Sequence, residues 1–277
     1  MNTGTRNKSC PMVVIALLLG VMMPAAYAND IVAQTIGEAY DLKSDEPLYS
    51  ETHCLSGDAL AREVIYRNVE GQLIAHKILS YNTGPTTPSF VQHNFYSQES
   101  IEVELKQDEV TMTVKDENSS GPGKVISTRP SANLPVVIDA GFDAFVTGNW
   151  DSLLAGENKS FQFPFAARES LVKLRIKPTS CTYDTESDQC FRLEMNNWFL
   201  RMLVAPIELG YDAKLKRLTR YRGLSNIGDG KGEGLVVDIR YNYQDVPAKA
   251  CSVNDMKLTG KAVERKVSAF DSRQLAL

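Results

Sequence analysis

The sequence predicts a mainly β protein: a single antiparallel curved sheet or half-barrel with a short helical insert near residues 139–156 serving as a plug or lid. Three observations predict it. Runs of alternating apolar and polar residues recur along the chain, short polar turns separate them, and one stretch instead places aromatic residues three and four apart. With 43% hydrophobic and 23% charged residues, 12 Pro and 18 Gly, the 277-residue chain can bury a core, which argues against wholesale disorder or a collagen-like repeat.

The elements follow in chain order. Arg62 to Tyr66 and Leu73 to Leu79 form a hairpin across Asn68-Val69-Glu70-Gly71, whose Asn and Gly suit a tight connection. Ile101, Val103 and Leu105 alternate with Glu102, Glu104 and Lys106, and Val110, Met112 and Val114 return with Thr111 and Thr113 between them. This is a second hairpin with one wet face. Gly121-Pro122-Gly123 marks a loop. From Asp139 to Gly156, Phe142, Phe145, Val146, Trp150, Leu153 and Leu154 recur at helical spacing, interrupted at Gly148 and stopped at Gly156. Val172, Leu174 and Ile176 alternate with Lys173, Arg175 and Lys177, and Phe191, Leu193 and Met195 return after a polar tip. Ile207 to Tyr211 and Leu215 to Tyr221 flank Asp212-Ala213-Lys214, and a long last strand carries Leu235, Val237, Ile239, Tyr241 and Tyr243 on one face.

The N-terminus reads as a signal peptide over residues 1–28. Arg6 and Lys8 precede the apolar run from Met12 to Met23, and Ala26 and Ala28 place small residues where a signal peptidase cuts. The run is shorter than the roughly 20 residues that span a bilayer, so no transmembrane anchor is expected. Residues 29–277 then form one β-rich domain, exported through the inner membrane, with the periplasm as the expected compartment. Cys10 leaves with the leader, and Cys54, Cys181, Cys190 and Cys251 remain. In an oxidising compartment four thiols suggest two disulfides. Cys181 and Cys190 flank a hairpin tip and are expected to pair locally, which leaves Cys54 for Cys251.

No motif nominates a reaction. Thirty Lys and Arg against 34 Asp and Glu give a net charge of −4, which argues against nucleic acid, a partner bound through clustered cations. Gly228-Asp-Gly-Lys-Gly-Glu-Gly234 lacks the Ser or Thr and the following helix of a phosphate loop, and has too few carboxylates for a calcium loop, so it reads as a glycine-rich turn. His53, His76 and His93 form no metal-binding spacing, no nucleophile elbow occurs, and no cofactor is expected. His76, on the face of Ile74 and Ile78, reads as a core histidine or as a polar group inside a ligand cavity. Asp139 and Asp143 suit a helix N-cap and first turn better than an acid/base pair. Lys173, Arg175 and Lys177 read as the solvated face of a strand, or as a row for an anionic partner.

The segments Ile65-Tyr-Arg-Asn-Val-Glu-Gly71, Asp139-Ala-Gly-Phe-Asp143, Asn149-Trp150, Pro206-Ile-Glu-Leu-Gly-Tyr-Asp212 and Tyr221-Arg-Gly-Leu-Ser-Asn-Ile227 are similar to an uncharacterised group of exported proteins of Gram-negative bacteria. That resemblance implies no activity. The layout of hairpins around a short helix also resembles the half-barrel of periplasmic lipoprotein carriers of the LolA and LppX kind, which implies a concave apolar face sheltering acyl chains. The expected function is therefore non-catalytic: binding or carrying a lipid or other apolar molecule. Phe142, Phe145 and Trp150 are the candidate lining or lid, with Trp198, Tyr241 and His76 as further candidates. An envelope interaction protein without a small ligand is the alternative, and an enzyme on a β scaffold a third. The intact mass of the mature chain is expected about 4 Da below its fully reduced mass, from four hydrogens lost to two disulfides; a deficit of about 2 Da would leave Cys54 and Cys251 unlinked.

Overall fold

Apolar residues at every second position give each strand one dry face, and fourteen strands among the described residues pool that face in one antiparallel sheet. The computed structural model describes Met1 and residues 31–55, 59–229 and 234–247. The rest of the expected signal peptide, Cys251 with its expected bond to Cys54, and the centre of the glycine-rich turn lie outside the described residues.

The strands are β1 (Ile31–Asp41), β2 (Pro47–Leu55), β3 (Ala61–Asn68), β4 (Leu73–Ser80), β5 (Ser89–Asn94), β6 (Glu99–Lys106), β7 (Glu109–Asp116), β8 (Lys124–Thr128), β9 (Lys159–Phe165), β10 (Ser170–Thr179), β11 (Asp188–Met195), β12 (Ile207–Asp212), β13 (Arg217–Gly228) and β14 (Gly234–Pro247). Their order is β8-β7-β6-β5-β4-β3-β2-β1-β14-β13-β12-β11-β10-β9. Two meanders, β1 to β8 and β9 to β14, are thus joined where the first strand pairs with the last, from Ile31 opposite Pro247 to Asp41 opposite Val237.

The two free edges, β8 and β9, approach each other at the far side of the curl. Lys124 of β8 meets Glu169, in the turn between β9 and β10, at 2.6 Å. The connection from β8 to the helices runs along β9: Gln162 N donates to Pro135 O and Val137 N donates to Gln162 O, at 2.8 and 2.9 Å. The buried side chain of Gln162 fixes this connection, accepting from Ser131 N and donating to Ser131 O and Leu134 O. That covers the edge where an open sheet would otherwise expose unpaired backbone groups.

The predicted insert forms two short helices, α1 (Gly141–Gly148) and α2 (Trp150–Leu154), separated at Asn149. Phe145, Val146, Trp150 and Leu153 pack with Phe161, Ile176, Phe191, Leu209 and Tyr211 of β9 to β12, so the helices plug the concave face. The face opposite Asp139 differs from expectation. The N-cap of α1 is Ala140, without a side-chain bond, while Asp139 at φ 42° accepts from Ala140 N through Oδ1 and from Lys77 Nζ through Oδ2, at 2.7 and 2.6 Å. Lys77 is buried on the inner face of β4, and its charge draws the carboxylate away from the helix end. The paired-carboxylate reading of Asp139 and Asp143 falls with it.

Most predicted hairpins are present, with Gly71 at φ 79° in the turn between β3 and β4. The strand after β12 starts two residues later than expected, because the Asp212 carboxylate accepts from Lys214 N and Leu215 N and delays β13 to Arg217. Arg175 and Lys177 lie outside the curl and both reach Glu194, at 2.5 and 3.4 Å. Cys181 and Cys190 are bonded, with Cα atoms 5.2 Å apart. A third helix, α3 (Trp198–Leu203), joins β11 to β12; the sequence pattern did not announce it.

The plug seats against the loop between β4 and β5, where Ile138 N donates to Thr86 O. A Cβ on Gly141 would fall onto the Thr86 backbone and 2.9 Å from Pro88 Cδ. Gly141→Ala is accordingly expected to destabilise the protein by about 1–3 kcal/mol, the usual cost of overpacking, read as a lower midpoint in urea.

Candidate functional site

The register sorts the side chains into two faces. Glu51 of β2 stands opposite Tyr66 of β3, which stands opposite Ala75 of β4. In the other direction Glu51 faces Gly37 of β1, and Gly37 faces Tyr241 of β14. These residues share the inner face with Tyr49, Ile239 and Tyr221. Gly37 permits the arrangement, because a Cβ there would lie 2.8 Å from Glu51 Cγ and 2.8 Å from the Tyr241 ring.

Glu51 is the charged centre of this end of the interior. It is buried, and its Oε1 accepts from the Tyr241 hydroxyl at 2.7 Å and lies 3.0 Å from His53 Nε2. Burial raises the pKa of Tyr49, Tyr66, Tyr221 and Tyr241, and the charge of Glu51 raises each further. All four phenols therefore remain protonated donors at neutral pH. A buried carboxylate that accepts from one phenol, with three further protonated phenols near enough to feel its charge, can hold the polar end of an otherwise apolar molecule. Among the described residues, no group of three or more His, Cys, Asp or Glu could hold a metal ion.

A strap crosses this end. Between the pairs Leu224 with Val236 and Gly228 with Gly234, β13 carries Ser225, Asn226 and Ile227 against Leu235 alone, a bulge that turns the hairpin inward. The Tyr49 hydroxyl and Ser225 Oγ lie 2.7 Å apart, Asn226 Nδ2 donates to the Tyr66 hydroxyl and to Gln92 Oε1 at 3.4 Å, and Ile227 is buried in the cluster of Tyr49, Tyr66, Val237 and Ile239. The hairpin thus reaches over the curl from β13 to β5.

The candidate residues distribute over three places. Phe145 and Trp150 are buried in the plug, Phe145 with its ring 4.9 Å from Phe161 and Trp150 at 5.4 Å from Phe191 and 5.9 Å from Tyr211. Phe142 is half-buried beside them. Tyr241 lies at Glu51. The structure does not bring His76 or Trp198 to this interior. His76 turns to the outer face of β4, where Nε2 lies 2.8 Å from Glu63 Oε1, because strand alternation gives the inner face to its neighbour Lys77. Trp198 is 66% exposed on α3. Glu51, Tyr49, Tyr66, Tyr221 and the strap escaped the sequence reading, which named only Tyr241 of this group as a candidate. The signal for the first was present: Tyr49, Glu51 and His53 stand at alternate positions, which puts a carboxylate and an imidazole on one face of a strand.

Between plug and strap the inner wall is apolar and incompletely covered. Phe163, Leu174, Leu193, Ile207 and Tyr221 of β9 to β13 pack against the plug cluster yet remain partly exposed, and Tyr221 also touches the cluster of the strap end.

No protein-family model and no curated protein matches the chain significantly. Among solved structures it is similar to a β-barrel-like protein of the domain of unknown function DUF1849 from Brucella abortus, with 7% sequence identity, a TM-score of 0.48, and coverage of 78% of this chain and 98% of that chain.

At the plugged end, Asp143 and the Tyr211 hydroxyl are buried beside each other, and the carboxylate raises the pKa of the phenol. Burial raises the Asp143 pKa, with the charge of Arg62 and the Tyr211 hydroxyl opposing it. An aspartate whose folded pKa lies above its unfolded value binds its proton more tightly when folded, so its contribution to stability declines as pH rises from about 3.8 through the folded value. Asp143→Asn is expected to raise Tm at pH 7 by about 2–4 °C, equivalent to about 1 kcal/mol, and to lose that advantage below pH 3.8. Melting curves at both pH values check it.

Proposed function

We propose that this protein binds an amphiphilic or apolar small molecule, a lipid in the first instance, along the inner wall between the plug and the strap. One observation carries the proposal: five large side chains, Phe163, Leu174, Leu193, Ile207 and Tyr221, stay partly exposed on the concave face beside the fully buried Phe161, Ile176, Phe191 and Leu209. Covering that row with hydrocarbon gains about 25 cal/mol for each Å² removed from water. Tyr221 joins the row to the polar cluster, so the polar end of a bound molecule would meet Glu51 and the hydroxyls of Tyr49 and Tyr241.

We place this activity in the periplasm. The leader-like N-terminus supports that location, as does the Cys181–Cys190 disulfide, a bond that persists in oxidising compartments.

The decisive experiment is native mass spectrometry of protein purified gently from its own cells, before and after organic extraction. A stoichiometric amphiphile is expected in the first spectrum and in the extract. Ile207→Ser is expected to weaken uptake of a fluorescent fatty acid about tenfold, or about 1.4 kcal/mol, while leaving the protein folded. Bare protein that also fails to take up the probe would overturn the proposal.

A further inference from the structure

The helix α3 is built inside out. Asn197 caps it, its Oδ1 accepting from Phe199 N and Leu200 N at 2.9 and 3.4 Å. Residues 198, 199, 202 and 203 then fall on one side of the turn, and all four point away from the protein: Trp198 is 66% exposed, Phe199 52%, Met202 66% and Leu203 68%. The side facing the sheet holds Leu200 and Arg201, and the Arg201 guanidinium donates inward to the carbonyls of Met195 and Asn196, at 3.3 and 2.8 Å. A surface helix ordinarily buries its apolar side and shows its charge to water. Here the cation braces the helix while two aromatic rings, 6.0 Å apart, and two aliphatic chains are presented to the outside.

The charge around the patch indicates what covers it. Asn196 N donates to Lys173 O, which sets the start of α3 beside β10, and Lys173 is exposed there. Arg168, in the turn between β9 and β10, is exposed at the same end of the sheet. The neighbouring acids have their own cations: Glu169 meets Lys124, and Glu194 meets Arg175 and Lys177. An apolar knob of Trp, Phe, Met and Leu with exposed cations beside it matches the interface of an anionic phospholipid bilayer, where an indole sits at headgroup level and Lys and Arg meet phosphate. At six residues the helix cannot cross a bilayer, so it lies in the interface.

We infer that α3 is a membrane-docking element that seats this end of the sheet on an anionic lipid surface. Leu193 and Ile207, at the strand ends that α3 connects, belong to the partly exposed inner row. Docking would bring that row to the surface holding the lipid. The inference goes beyond the ligand proposal and stands without it, because surface binding and interior binding are measured separately.

The chain has two tryptophans, Trp150 buried and Trp198 exposed, so its fluorescence reports on the patch. Purified protein is titrated with vesicles of 7:3 phosphatidylcholine and phosphatidylglycerol, and binding is followed by co-sedimentation and by emission. Wild-type protein is expected to sediment with the vesicles and to shift its emission to the blue. Trp198→Phe should keep the sedimentation and lose the shift. Trp198→Ser combined with Met202→Ser should weaken binding at least tenfold with Tm unchanged, both residues being exposed. Lys173→Glu should weaken binding to these vesicles but not to pure phosphatidylcholine. Absence of vesicle binding would overturn the inference, as would binding that the double variant leaves intact. Self-association abolished by the double variant, without vesicle binding, would assign the patch to a second copy of this chain instead.

Discussion

The pairing of β1 with β14 is the constraint on which the rest depends. Its eleven residue pairs join two meanders that are otherwise built from local hairpins. Every other strand pairing in the sheet links neighbours in the chain, and such contacts close short loops at small entropic cost. This one brings together residues some two hundred positions apart, so it carries the largest single loop-closure cost in the sheet. It also fixes the site, because Gly37 of β1 sets Glu51 beside Tyr241, and neither meander alone contains all three.

The curl leaves two seams, and the chain treats them differently. The first is sealed by strand pairing. The second, between β8 and β9, is covered by the connection that Gln162 holds and by the Lys124–Glu169 pair. Backbone groups of β9 thereby find partners without a fifteenth strand, and the connection delivers the helices to the concave face. The polarity of the molecule follows. One end is filled by Phe145, Trp150 and their aromatic neighbours, and the other is spanned by the bulged hairpin of β13, tied by Ser225 and Asn226 to tyrosines on the far wall. Between them lies apolar surface that neither device covers. A sheet of this size has more concave wall than two short helices can fill.

The inside-out packing of α3 belongs to the same economy of faces. Where a helix has a dry surface to lie on, it buries its apolar side; the strand ends beneath α3 offer two carbonyls instead, which take a guanidinium. The apolar side is left outward beside the partly exposed Leu193 and Ile207.

The class of fold, most of the hairpins, the two-helix insert and the local disulfide are legible in the chain, because each rests on contacts among near neighbours. Alternation at a period of two fixes a dry face, Asn68 to Gly71 fix a turn, and aromatic spacing fixes a helix. The sequence also showed that Tyr241 lies on an apolar strand face. Which face looks inward, and what meets there, follows from strand order and register. His76 and Lys77 are adjacent, and which of them enters the interior depends on the register with β3 and β5 rather than on either residue. Glu51 gains its tyrosine neighbours from four strands, Asp139 leaves its helix for Lys77 of a distant strand, and Trp198 looks like a core aromatic until the helix beneath it is seen to turn its charge inward. Period and propensity are properties of a few consecutive residues, whereas a site of this kind is a property of strand order and curvature, which no short stretch of the chain contains.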